Sequence, residues 1–332
     1  MKLSKCAAAL IVTSFLVTGC SSGSKTVKED DKFVIASLSN DDNEKNIFAD
    51  DVFDDIISTA SGKSAYFDAV LQQLIDQKFP IDDDMETDAD TTIQQIQDYY
   101  ENYYGDDAQD TLEQALSYSG FESLDEYREY MVRAYQRSNF LLAYVKDNFD
   151  EVFDDYYTQA SPREASIIKI SMTDVENPTE EESAKLSEVT ALLQTSKSFD
   201  EIATDYSDDE NTNQNKGKLG IVDTTSQLSD TYGDDVKSQI LALGQDEVSE
   251  PIKGSDGYFI VKVTNTDKDS IKEQTKKDLS IDTPLIAYDD YMSYLAFQSY
   301  DLEYEDDDAK AIIEEVINDA LTERENSRGG TQ

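Results

Sequence analysis

The sequence predicts an α+β protein, and three observations carry that prediction. Through most of the first half, apolar residues recur every three and four positions, the period of an amphipathic helix. From Ser161-Pro162 the pattern changes to short strand-like runs alternating with capped helical stretches, in the order β-α-α-α-β-β. Helical periodicity then returns and runs to the C-terminus. The middle order describes one compact α+β domain with a small antiparallel sheet flanked by helices.

Taken in order, a short strand is expected over Phe33-Val34-Ile35-Ala36-Ser37-Leu38. An amphipathic helix carries Phe67, Val70, Leu71, Leu74 and Ile75 and closes at Pro80. A second carries Ile93, Ile96, Tyr99, Tyr100 and Tyr103 before Gly105, and a third covers Leu112 to Tyr118. The longest opens at Ser123, whose spacing to Glu126 is that of a capping box. It runs through Tyr127, Met131, Tyr135, Leu142 and Val145 toward Phe149.

In the middle region, Ala165-Ser166-Ile167-Ile168-Lys169-Ile170 reads as a strand. Thr179 with Glu182, and Ser198 with Glu201, are two further capping boxes that open helices. Gly217-Lys218-Leu219-Gly220 reads as a turn, and Val236, Ile240 and Leu243 mark a helix before Gly244. Val248–Ile252 and Tyr258–Val263 read as the last two strands of the domain. A helical part from Ile271 to Tyr300, a strand-like Tyr300–Tyr304 and a terminal helix through Ile312, Ile313, Val316 and Ile317 follow.

The first nineteen residues read as an export signal. Lys2 and Lys5 form a positive start, and Ala7 to Val17 is an apolar run too short for a stable membrane span. Val17-Thr18-Gly19-Cys20 resembles the bacterial lipobox, in which the cysteine is acylated and becomes the new N-terminus. The alternative is an ordinary secretory signal followed by an incidental cysteine. Ser21-Ser22-Gly23-Ser24 supplies a flexible tether. Cys6 leaves with the signal and Cys20 is committed to lipid, so the mature chain has no disulfide to form.

Composition excludes several function classes. The formal net charge is −44, from 28 basic and 72 acidic residues. Nucleic acid is ruled out as a partner, because phosphate contacts need clustered Lys and Arg. Charge alone would also repel the chain from anionic lipid, which makes a covalent tether useful. Solubility by self-repulsion is the simplest reason for the excess acid. The chain contains no histidine. This removes Ser/His nucleophilic catalysis and any Cys/His metal site. Asp209, Asn211, Asn213 and Asn215 alternate like a calcium loop, yet the sixth position is Gln214 and the twelfth Gly220, so no metal or other cofactor is expected.

Several ordered stretches carry a family resemblance. "EASIIKI", "SFDEIATDYSDD", "KGKLGIV" and "LALGQDEVSEPIKGSDGYFIVKV" resemble the strand, helix, turn and closing hairpin of parvulin-type peptidyl-prolyl cis-trans isomerases. "AVLQQLIDQKF" and the stretch from Tyr104 to Phe149 resemble the helical half of PrsA-type foldase lipoproteins. The resemblance implies a helical chaperone domain made from N- and C-terminal segments, with a parvulin-like domain inserted. The implied boundaries are a signal over 1–19, a tether over 20–32, chaperone segments 33–161 and 268–322, the parvulin-like domain 162–267 and a polar tail 323–332.

The resemblance also implies a site. Family members surround the substrate proline with two histidines, a Cys or Asp, and a Met/Phe pocket. Here the histidine positions fall on Ile167 and Phe259, the Cys/Asp position on Asp209, and the pocket on Leu228 and Tyr232. The pocket character is kept while the polar inner ring is largely gone, so weak isomerase activity is expected. Asp209 also reads as a solvated loop residue, and Leu228 and Tyr232 as plain core. The partners implied are unfolded or newly exported proteins and, through Cys20, the membrane; a homodimer stays open. A holdase without catalysis and a surface scaffold or solute-binding lipoprotein are the alternatives.

Overall fold

A computed structural model describes residues 27–30, 32–38 and 45–329. The expected signal, Cys20 and most of the tether lie outside those residues. The described chain divides into two compact units, one from 142 to 290 and the other from residues 27–141 with 291–329. The second unit therefore joins N- and C-terminal segments, as the family resemblance implies.

That unit begins with an antiparallel sheet in which β2 (Lys32–Leu38) pairs with both β1 (Lys28–Glu29) and β3 (Lys45–Phe48). Helices follow: α1 (Ala49–Ile57), α2 (Ala60–Lys78), α3 (Asp83–Tyr104), α4 (Ala108–Tyr118) and α5 (Leu124–Asp147), which runs past Leu141 into the other unit's segment. Thr59 and Asp82 cap α2 and α3 by accepting the Gly62 and Met85 amides. The core is aromatic: the buried Phe67 ring meets Phe297 edge-on at 5.1 Å and stacks on Tyr294 at 4.9 Å, so α2 packs against the C-terminal segment.

The other unit contains α6 (Phe149–Ala160), β4 (Arg163–Ser171), α7 (Glu180–Leu192), α8 (Phe199–Tyr206), β5 (Lys218–Val222), α9 (Ser229–Tyr232), α10 (Asp234–Ala242), β6 (Ile252–Lys253), β7 (Gly257–Asn265) and α11 (Lys268–Lys277). The sheet order is β5-β4-β7-β6, with every neighbouring pair antiparallel. Alternation along β4 and β7 sends successive side chains to opposite faces. Ile168, Ile170 and Ile260 pack with Val189 of α7 and with Phe199 and Ile202 of α8. Ala165, Ile167, Phe259, Val261 and Val263 pack on the other face with Val236 and Ile240 of α10. Both capping boxes of this unit form in full, at Thr179–Glu182 and Ser198–Glu201. The chain closes with α12 (Met292–Gln298) and α13 (Asp307–Gly329).

Several sequence expectations are corrected. Lys218–Val222 is a strand rather than a turn, with Gly217 and Gly220 at positive φ marking its bends. A Cβ at Gly217 would stand 2.4 Å from the Ile167 carbonyl oxygen, so only glycine lets this backbone cross β4. The expected strand Val248–Ile252 shrinks to Ile252–Lys253 plus one bridge at Val248, because Pro251 has no N–H for the ladder. The helix expected to run toward Phe149 stops at Asp147, and a separate α6 follows. The helical part expected over Ile271–Tyr300 is discontinuous: α11 ends at Lys277, a 3-10 turn follows at Pro284–Ile286, and α12 begins at Met292. Tyr300–Tyr304 forms no strand, since no strand among the described residues pairs with it. Ser123 receives the Glu126 amide at 3.1 Å, but Glu126 returns its bond to the Glu122 amide, so that capping box is only half made.

Candidate active site

The site is built on the face of the sheet that α10 covers. Ile167 and Phe259 both point there, fully buried, from the two central strands. They are not directly opposite: Ile167 pairs with Val261, and Phe259 with Lys169 on one side and Ile252 on the other. The two are diagonal neighbours, a separation that ring side chains bridge.

Tyr232, at the end of α9, stands edge-on to Phe259 with ring centroids 5.7 Å apart, and Leu228 packs against the same cluster. The Tyr232 hydroxyl donates to Asp209 Oδ2 at 3.0 Å. Burial, with the Asp209 carboxylate beside it, pushes the Tyr232 hydroxyl well above its ordinary value. Asp209 is itself 4% exposed and is not a solvated loop residue. Its carboxylate also accepts from the Thr212 hydroxyl and the Asn211 amide, and its carbonyl receives Asn213 N–H. The alternating Asp/Asn stretch is thus a self-bonded turn under the pocket wall.

The positions carried over from the resemblance come together: Ile167, Phe259, Tyr232 and Leu228 in one apolar cluster, with Asp209 bonded to its tyrosine. A cleft of about 400 Å³ opens beside them, lined by Ser229–Asp235, Lys253, Gly254, Ser255 and Phe259. Gly254 is required where it closes over the ring, because a Cβ there would stand 2.3 Å from Phe259 Cε2. One polar neighbour was missed by sequence reasoning. Lys169 sits directly across from Phe259, pairs with Asp256, and holds its ammonium 5.8 Å from the Phe259 ring centre. Its signal was available, since a residue two places after Ile167 in a strand shares its face.

Residues 167–265 match the family described as "Rotamase: PPIC-type PPIASE domain". Among curated proteins, the chain is similar to the foldase protein PrsA of Staphylococcus aureus strain Newman, 27% identical over 246 residues that cover 72% of each chain. The PrsA of strain JH1 gives the same figures. The expected resemblance to PrsA-type foldases with a parvulin domain holds. The matched segment begins at Ile167 and takes in Phe259, so both positions lie inside the rotamase domain. Among solved structures, foldase protein PrsA from Streptococcus pneumoniae aligns over 85% of this chain and 99% of its own, at 19% identity and TM-score 0.40. PrsA from Bacillus subtilis aligns over 85% and 98%, at 21% identity and TM-score 0.34.

Chemically, the matched segment offers an apolar floor, a tyrosine whose hydroxyl is committed to Asp209, and two ammoniums beside the ring, those of Lys169 and Lys253.

Proposed function

We propose that this chain is an extracytoplasmic foldase, held at the membrane by lipid on Cys20, that assists exported proteins and isomerises prolyl bonds slowly. The observation that carries the reading is the convergence of Ile167, Phe259, Tyr232 and Leu228 beside a cleft, within the segment that matches the rotamase family. Uncatalysed exchange must cross a barrier of about 18–20 kcal/mol set by amide resonance. The planar amide is more polar than the twisted one, so an apolar, water-poor floor favours the twisted form without an acid or base. With both histidine positions filled by hydrocarbon, the hydrogen-bonding share of the family's catalysis is missing.

The same burial favours a second reading, a holdase whose rotamase domain only binds proline segments. Ile167 and Phe259, at 0% and 1% exposed, carry no group that can donate or accept a hydrogen bond. Prolyl exchange in a tetrapeptide, measured by NMR line exchange with the mature chain, separates the two. Measurable acceleration supports the isomerase. None, with aggregation of a denatured secreted protein still suppressed, leaves the holdase, and failure of both assays removes the foldase reading.

A further inference from the structure

Away from the rotamase domain, α3 ends in four tyrosines that nothing described so far uses. Residues four apart share a helix flank, so Tyr99 stacks on Tyr103 and Tyr100 on Tyr104, each pair with centroids 5.4 Å apart. Contacts at 5.6 Å and 5.9 Å join the two stacks into one ladder. Ring-on-ring packing leaves the outer pair in water: Tyr103 is 74% exposed and Tyr104 43%. Large rings held side by side at a surface are contact area awaiting a partner.

The surroundings select that partner's charge. The sequence has no lysine or arginine between Lys78 and Arg128, so Asp98, Glu101, Asp106 and Asp107 flank the rings with no cation from their own stretch. The ladder also lies at the C-terminal, negative end of a 22-residue helix whose last turn holds no basic residue. A guanidinium stacks on a tyrosine face, an ammonium sits over one, and either charge is then met by carboxylates. A neutral chain would gain only the rings. A second copy of this protein would bring the same strong negative charge and be repelled.

We propose that the tyrosine ladder closing α3 is a docking surface for arginine- and lysine-bearing stretches of unfolded client polypeptide. The proposal rests on the foldase reading and names the client class that the helical unit would hold. Its test uses the mature chain and three fluorescein-labelled peptides of equal length, rich in Arg, in Ser/Gly and in Glu, followed by anisotropy. The Arg peptide should bind and the Glu peptide should not, with binding weakening steeply as salt rises to about 0.5 M. Tyr103→Ala with Tyr104→Ala should weaken the Arg peptide about tenfold, whereas Tyr103→Phe with Tyr104→Phe should retain it, because the rings remain. Equal binding by the Ala variant, or by the Glu peptide, overturns the proposal. So does self-association that the Ala changes abolish, which would make the ladder a dimer contact. Suppression of aggregation that persists for basic and acidic clients alike, untouched by the Ala changes, sinks this inference alone, whereas its absence for every client sinks the foldase reading.

Discussion

Phe259 stands across the ladder from Lys169 and diagonal to Ile167, and that register sets what the site can become. Two imidazoles at 167 and 259 would share a face at a distance their rings span. Ile167→His with Phe259→His should therefore raise kcat/KM for a proline tetrapeptide, with a gain of about tenfold for each 1.36 kcal/mol of barrier removed. The change also carries a cost. Either imidazole left without a partner in that buried cluster would destabilise the fold by about 1–3 kcal/mol, so a melting curve comes first. A folded double variant no faster than the parent would mean that the pocket around the rings, and not only the histidines, has lost its use. The carried-over positions were readable because strands and turns held the alignment in order. Lys169 and the buried bonding of Asp209 were not, since partners from distant segments are invisible to a linear pattern.

At the scale of elements, capping was the most legible feature. The Thr179 side chain receives the Glu182 amide, and Glu182 accepts from the Thr179 and Thr173 amides, each at 2.7 Å. Those backbone donors, Thr179 first, hold the Glu182 carboxyl down at about 2, against an ordinary value of 4.5. As pH falls, the unfolded chain takes up this proton first. The cap's contribution is therefore complete above pH 4.5 and drains away as pH approaches about 2. In Glu182→Gln that loss is absent, so its urea midpoint should fall less between pH 4.5 and about 2 than the parent's does; parallel curves would show that the cap is uncoupled from unfolding. Strand β5 was the least legible element. Gly217 bends the chain just before its five residues and Gly220 bends it at their centre, and only pairing with β4 makes them a strand.

For the molecule as a whole, the rotamase-bearing unit reaches further than its sheet. The Tyr156 hydroxyl donates to the fully buried Asp223 at 2.6 Å, Tyr157 donates to the Thr266 carbonyl, and Tyr288 packs edge-on against Tyr156 at 5.3 Å. Residues 162–267 alone would lose α6 and leave Asp223 short of a buried partner, a loss of about 1–3 kcal/mol. A 142–290 fragment should accordingly melt several degrees above a 162–267 fragment, at about 4–8 °C per kcal/mol; equal melting temperatures would show that α6 is dispensable. Lipid attachment is tested separately. Cys20→Ala should move the protein from the membrane fraction to the medium, and a variant that stays bound beside an unacylated parent would remove the lipobox reading.

By itself the sequence determined the α+β class, the capped helix starts at Thr179 and Ser198, the exclusion of histidine chemistry and the candidate positions that the fold gathers into one apolar cluster. Each of these depends on residue type at short spacing, which a chain carries with it whether folded or not. Only the tertiary structure decided that Ile167 and Phe259 are diagonal, that Asp209 is buried on Tyr232, that Lys169 rims the ring and that α6 belongs with the sheet. These depend on register and on contacts between distant segments. A one-residue change of register sends a strand's side chains to the opposite face.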